Sequence, residues 1–311
     1  MQKLEVCVLG CSSATPTSNR NPTSQLITIA DRYFLIDCGE GTQMQIRKYK
    51  IKLQRIDHIF ISHLHGDHYF GLIGLLSSMH LLGRKEPLTI FGPEGLKEII
   101  ELQNKYSDSR FNYELNFQTI SAKEPAILFE DDKVTVTSIL LNHRVPCTGF
   151  LFKEKAKAKL INKEKAAKYK VPTSEYARIK LGDSFETASG NVISHEELTI
   201  SPMLYSYAYC SDTCFDQRVI DQVKGATVLY HEATFMHDML PRAKETFHTT
   251  AHQAATVAQA AGVQALIIGH YSARYNDLEP LLQEAQAVFH ATVLAIEGKR
   301  YSVPLDQNSF D

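Results

Sequence analysis

Short runs of clustered or alternating apolar residues predict strands at Leu4–Leu9, Gln25–Ile29, Tyr33–Asp37 and Ile56–Ser62. They are separated by the turn-rich stretch Gly10–Ser24 and by Asp31-Arg32. A helix is expected from about Asp67 to Leu82, stopped by Gly83. Leu88–Phe91 reads as a strand, and Pro93 suits the first position of a helix running to Lys105. Val134–Leu141 alternates cleanly, and Thr148–Phe152 is a natural partner for it. Strand pattern returns at Met203–Tyr209, Thr227–Tyr230, Ala265–Ile268 and Thr292–Ile296. Between these runs, helices are expected at Phe215–Val223, at Ala251–Ala261 (stopped by Gly262) and at Leu278–Phe289. Strands followed by helices in both halves predict an α/β domain of packed layers.

One segment breaks the pattern. From Lys153 to Lys180 there are ten Lys or Arg and three Glu, a local balance of +7 in a chain whose net charge is -2. It reads as a single excursion, at about residues 153–195, from a domain spanning 1–311. The remaining composition is ordinary for a globular protein, with 44% hydrophobic and 22% charged residues. That excludes disordered, collagen-like and coiled-coil chains. No apolar run approaches the roughly 18 residues that span a bilayer, and Met1–Leu9, with Glu5 inside it, reads as a strand rather than a signal peptide. Six cysteines without a Cys-x-x-Cys pair read as reduced thiols of a cytoplasmic protein.

The chemistry is carried by the histidines. His63-Leu64-His65-Gly66-Asp67-His68 falls between a predicted strand and a predicted helix. Imidazole and carboxylate suit zinc, and four such groups in six residues exceed what one open catalytic ion takes from a single segment. The surplus points to two ions. Further donors are available after later strands: His143, Asp212 and His270. Cys210 and Cys214 flank Asp212 and could also ligate, although buried structural thiols are the expected assignment.

His63-x-His65-x-Asp67-His68 with His143, Asp212 and His270 at these intervals resembles the metallo-β-lactamase fold. Within that fold the chain resembles the ribonuclease Z family in its short, single-domain form. The likeness extends over essentially the whole chain. It includes Asp37-Cys38-Gly39-Glu40-Gly41-Thr42-Gln43, Ser211-Asp212-Thr213, His231-Glu232-Ala233-Thr234 and His248-Thr249-Thr250. The resemblance implies an αββα sandwich and two zinc ions per chain. One ion would be held by His63, His65 and His143, the other by Asp67, His68 and His270, with Asp212 bridging. It also implies an endoribonuclease that removes 3′ trailers from precursor tRNA, leaving a 3′-hydroxyl, and a homodimer with no membrane association.

Asp67 would orient or deprotonate the attacking water in addition to ligating. The resemblance puts His248 at the leaving oxygen, with Glu232 supporting it. Read from the residues alone, His248 is a polar residue before a helix capped by Thr249 or Thr250. Ser272 and Arg274 follow His270 closely, and a guanidinium with a hydroxyl beside such a centre is a natural phosphate clamp. Ala273 stands where the family usually has a second serine. Arg20 and Asn21 are equally readable as further phosphate contacts or as plain loop residues.

The basic excursion falls where the family carries an exosite arm that grips the tRNA body. Val171–Lys180 departs from the family's arm by lacking its glycine. A charge run of this kind is also ordinary solvated helix. Two other functions fit parts of the chain: a hydrolase of small esters or phosphodiesters, and a non-catalytic RNA-binding module. Ten cations in one excursion favour a polyanionic substrate over the first. A full set of ligands argues against the second.

Overall fold

The computed structural model describes Leu4–Asp306 and Phe310. The chain begins with strands β1 (Leu4–Gly10), β2 (Ser24–Ile29) and β3 (Arg32–Ile36), helix α1 (Thr42–Lys48) and strand β4 (Ile56–Phe60). Helices α2 (Gly66–Tyr69) and α3 (Leu72–Leu81), strand β5 (Leu88–Gly92) and helix α4 (Leu96–Tyr106) follow. Four strands then run consecutively: β6 (Leu115–Thr119), β7 (Ile127–Glu130), β8 (Val134–Leu140) and β9 (Thr148–Glu154). The excursion holds β10 (Leu160–Ile161), α5 (Lys163–Lys168), α6 (Tyr176–Lys180), β11 (Phe185–Glu186), β12 (Val192–Ile193), α7 (His195–Leu198) and β13 (Thr199–Ile200). The last part comprises β14 (Ser206–Cys210), α8 (Gln217–Gln222), β15 (Val228–Glu232), α9 (Leu240–Thr246) and α10 (Ala251–Ala261). It ends with β16 (Ala265–Gly269), α11 (Glu279–Gln286), β17 (Thr292–Leu294) and β18 (Arg300–Val303).

The chain divides into two compact units, residues 1–153 with 205–311, and residues 154–204. The larger unit contains two seven-stranded sheets, ordered β18-β1-β2-β3-β4-β5-β6 and β17-β16-β15-β14-β9-β8-β7. Side-chain alternation explains its layers. In β1, Leu4, Val6 and Val8 join Phe34, Ile36 and Phe60 in one core with Val134, Phe150, Phe152 and Tyr209 of the second sheet. Cys7 and Leu9 point the other way, into a second core with Leu35, Ile59 and the helix residues Ile46, Leu72, Leu76 and Ile100. Ala254, Ala255, Ala258 and Ala261 of α10 pack with the second sheet. The result is an αββα sandwich. The smaller unit has its own core of Ala166, Val171, Ile179 and Leu198.

The expected helix from Asp67 to Leu82 is two helices. A Cβ on Gly71 would lie 2.1 Å from the Gly39 carbonyl oxygen, so the chain turns where it presses on the 38–39 backbone. The helix expected from Pro93 starts instead at Leu96, because Gly95 has φ 91°, which no helical residue adopts. The strand expected from Met203 begins at Ser206, and both Met203 and Leu204 are exposed. The capping residue of α10 is Thr250, in a reciprocal box with Gln253.

Candidate metal centre and active site

Strands β14, β15 and β16 run parallel, as do β3, β4 and β5, so loops leaving their C-terminal ends gather functional groups. His63 and His65 lie in the loop after β4, and Asp67 and His68 are in the first turn of α2. His143 follows β8, Asp212 follows β14, Glu232 ends β15 and His270 follows β16. His248 comes just before α10.

The seven proposed ligands converge in two groups that share Asp212. His65 Nδ1 lies 3.0 Å from His63 Nε2 and 3.2 Å from His143 Nε2. Asp212 Oδ2 is 3.6 Å from His63 Nε2 and 3.8 Å from His143 Nε2. The other oxygen, Oδ1, is 3.2 Å from His68 Nε2 and 3.1 Å from His270 Nε2. Asp67 Oδ2 completes that group, 3.3 Å from His68 Nε2 and 3.5 Å from His270 Nε2. Two ligands on one tetrahedral zinc at 2.0–2.2 Å stand about 3.4 Å apart, so both groups have the spacing of an ion's donors. His68 Nε2 and His270 Nε2 are buried without a hydrogen-bond partner, which fits lone pairs aimed at a cation. The donor set therefore fits two metal ions. Cys210 is buried and Cys214 half-buried, and neither sulfur belongs to these groups among the described residues.

Each imidazole is oriented by the nitrogen facing away from the centre, where that nitrogen has a partner. His68 Nδ1 meets Asp37 Oδ2 at 2.8 Å, His143 Nδ1 meets the Phe247 carbonyl at 3.0 Å, and His270 Nδ1 meets Thr234 Oγ1 at 3.0 Å. Ser62 Oγ lies 3.0 Å from His63 Nδ1. Such partners fix the ring and its tautomer. Asp67 Oδ2 also accepts from the Ala14 amide at 2.8 Å. Asp37, Ser62, Thr234, Phe247 and Ala14 are not distinguishable as site residues by sequence pattern alone. Asp37 and Thr234 lie in motifs that carry the family resemblance, and that is the available signal. The others become visible only in three dimensions.

Burial favours neutral imidazole at His63, His65 and His143, the form that ligates metals. Burial alone would raise Asp67 and Asp212, but the neighbouring imidazoles outweigh it and hold both well below the usual carboxylate range. Burial also disfavours a charged His68, yet Asp67, Asp212 and Asp37 together push it well up. Three carboxylates in so dry a centre call for positive charge. His248 Nδ1 is 2.8 Å from Glu232 Oε1. Burial opposes its protonation, but the Glu232 carboxylate prevails and raises it to about 9. Glu232 is itself held by the Thr213 amide at 3.0 Å and by Thr234 Oγ1 at 2.6 Å.

A cleft of ≈ 560 Å³ opens onto His65, Asp67, His143, Asp212 and His248. Ser272 and Arg274 line an adjoining cavity of ≈ 230 Å³ that also shares His248. The Arg274 guanidinium sits 5.0 Å over the Phe235 ring, and its Nε donates to Ser272 Oγ at 3.1 Å. Arg20 and Asn21 are structural. Arg20 is buried and donates to the Tyr275 carbonyl at 2.8 Å, and the Asn21 amide group donates to Glu297 at 2.9 Å.

The chain is 49% identical over 299 residues to ribonuclease Z from Bacteroides fragilis strain YCH46, covering 96% of this chain and 98% of that protein. Ribonuclease Z from Porphyromonas gingivalis strain W83 is 46% identical over 301 residues, 96% of this chain and 99% of that protein. The crystal structure of human tRNase Z, short form, is similar with a TM-score of 0.68 and 26% identity, covering 97% of this chain and 100% of that one. The metallo-β-lactamase fold protein YhfI from Bacillus subtilis, at 18% identity over 97% of this chain and 99% of that one, has the same TM-score of 0.68 and shares the fold. The family model described as anti-Pycsar protein Apyc1 matches residues 4–162, which stop short of Asp212, His248 and His270. The ribonuclease Z relatives instead match across both halves of the centre, and this chain belongs to the ribonuclease Z family.

Proposed function

We infer that this chain is the tRNA 3′-processing endoribonuclease of its family, hydrolysing the phosphodiester between the mature 3′ end and the trailer. The observation that carries the reading is the pair of donor groups joined through the two oxygens of Asp212, with His248–Glu232 opening onto the same cleft. Two zinc ions held by these donors would supply a water acidic enough to ionise near neutral pH and positive charge for the phosphate oxygens. Asp67 Oδ2 orients the attacking water. Held protonated by Glu232, His248 gives its proton to the departing 3′-oxygen. Ser272 and Arg274 hold a flanking phosphate. The products are a tRNA 3′-hydroxyl and a trailer 5′-phosphate, because water rather than the ribose 2′-hydroxyl is the nucleophile.

The proposal extends to zinc as the metal, two ions per chain, a homodimer and a cytoplasmic setting. No helix among the described residues is long and apolar enough to cross a membrane. The smaller unit is proposed to bind the tRNA body. Its charge is less one-sided than the basic run suggests. Residues 154–204 hold nine Lys or Arg against seven Asp or Glu, a net +2. Lys157, Lys165 and Arg178 are paired with Glu154, Glu197 and Glu175. Lys163, Lys170 and Lys180 have no carboxylate partner among the described residues and are the cations available to phosphates.

The deciding experiment is incubation with a 3′-extended pre-tRNA transcript, with and without chelator, mapping the cut. Cleavage at the mature 3′ end that chelator abolishes is the expected result. Turnover of a nitrophenyl phosphodiester with no cleavage of pre-tRNA would favour the small-substrate reading instead.

A further inference from the structure

A second groove adjoins the catalytic cleft. It encloses ≈ 780 Å³ and shares His143 and Arg144 with the cleft, whereas the cavity containing Ser272 and Arg274 shares His248. Two separate exits therefore leave the reacting centre. The groove's lining includes Leu64, Pro93, Ile120, Lys123, Val145 and Pro146, and its one carboxylate is Glu94. Apolar walls beside cations suit unpaired nucleotides, whose bases pack against the walls while their phosphates meet positive charge.

Arg144 is exposed and has no carboxylate partner among the described residues. Its Nη2 lies 3.4 Å from His65 Nε2. His65 turns Nδ1 toward His63 and His143, so a neutral, metal-ligating His65 carries its proton on Nε2. Arg144 has only donors. Two donors thus face one another with no acceptor between them, and an anionic oxygen touching both would satisfy the pair.

We propose that this groove is the trailer subsite, in which Arg144 and His65 Nε2 bind the phosphate between the first and second trailer nucleotides. The assignment rests on the endoribonuclease reading. Polarity follows from the leaving group. His248 protonates the 3′-oxygen of the last tRNA nucleotide, which places that nucleotide toward the His248 exit. The strand beyond the reacting phosphorus then leaves by the other exit, past Arg144. Lys123 offers a second phosphate contact further along.

The test compares pre-tRNAs carrying one-nucleotide and five-nucleotide trailers, reading the ratio of their kcat/KM values. Only the longer substrate has the phosphate in question. Arg144→Ala should lower the long-to-short ratio about tenfold, as removal of one charged hydrogen bond does, and Arg144→Lys should restore part of it. A methylphosphonate at the linkage between the first two trailer nucleotides should cost the wild type a similar factor and cost the Arg144→Ala enzyme nothing further. Lys123→Ala, remote from the metal ligands, should lower the same ratio by a smaller factor. An unchanged ratio in Arg144→Ala, or equal further loss from the methylphosphonate in both enzymes, overturns the subsite. Failure of the wild type to cut either substrate overturns the endoribonuclease reading and the subsite with it.

Discussion

Asp37 accepts from four groups: the Ser62 amide at 2.8 Å, Ser62 Oγ at 3.0 Å, Tyr209 OH at 2.7 Å and His68 Nδ1 at 2.8 Å. All four sites demand an acceptor, so Asp37→Asn turns an NH₂ toward at least one donor and loosens His68. Activity should fall about 10–100-fold, with partial recovery in excess zinc, as loss of a ligand's partner typically produces. Unchanged activity at limiting zinc would show that His68 holds its place without Asp37. His248 provides a pH test. Its raised value keeps the acid form populated up to about 9, so wild-type kcat should fall only as pH rises through that value. Stability gained from charging His248 is likewise complete below about 6.5 and lost as pH rises toward 9. In Glu232→Gln the alkaline limb of kcat should move down toward about 6.5. A limb that stays in place would assign it to another group. At this scale the proposed ligands His63, His65, Asp67 and His68 are legible in the sequence because four donors crowd into six residues. Asp37 and Thr234 are not, since what distinguishes them is the approach of an imidazole made elsewhere in the chain.

At the scale of elements, continuous apolar runs reveal strands buried on both faces such as Ala265–Gly269, alternation reveals Val134–Leu140 with one face more deeply buried than the other, and the alanine run from Ala251 to Ala261 is predicted to the residue. The elements that escape prediction have weak patterns. Helix α1 is seven residues long with one buried aliphatic residue, Ile46, and β6 is half-exposed along its length. Strand β18 exists because its partner β1 supplies the ladder, with Leu4 opposite Val303. Register also makes the smaller unit removable. Lys153 of β9 pairs with Ser206 of β14 in an antiparallel ladder, so a two-residue Asn-Gly turn can join the strands once residues 154–205 are deleted. The shortened chain should fold and turn over a nitrophenyl phosphodiester at nearly the wild-type rate. Its KM for pre-tRNA should rise, and the salt dependence should flatten by a log–log slope of about 0.7–0.9 for each phosphate that is no longer neutralised. If pre-tRNA cleavage keeps both its KM and its salt slope, the excursion is a solvated surface and nothing more.

On the scale of the whole larger unit, the metal centre lies on the seam of the sandwich. His63, His65, Asp67 and His68 come from the first sheet's side, whereas His143, Asp212 and His270 come from the second. Ions held between them would join the two sheets as well as serve catalysis. Zinc at 100 times its Kd should stabilise the fold by about 2.7 kcal/mol, raising Tm by roughly 5 °C for a chain of this size. Thermal scans in chelator and in graded zinc would measure the shift. Asp212→Ala should remove most of it, because that side chain contributes an oxygen to each group. A zinc-independent Tm would mean that packing alone fixes the seam.

The position of the excursion along the chain divides the chemistry. Five of the proposed ligands precede residue 154, whereas Asp212, Glu232, His248 and His270 all follow residue 204. Two polypeptides made separately and divided there would each be chemically mute. They would still share two backbone ladders, β9 with β14 and β1 with β18, along which to reunite. Nuclease activity would then signal that two fragments had met, and anything fused to the fragments to bring them together could be read out through the cutting of RNA.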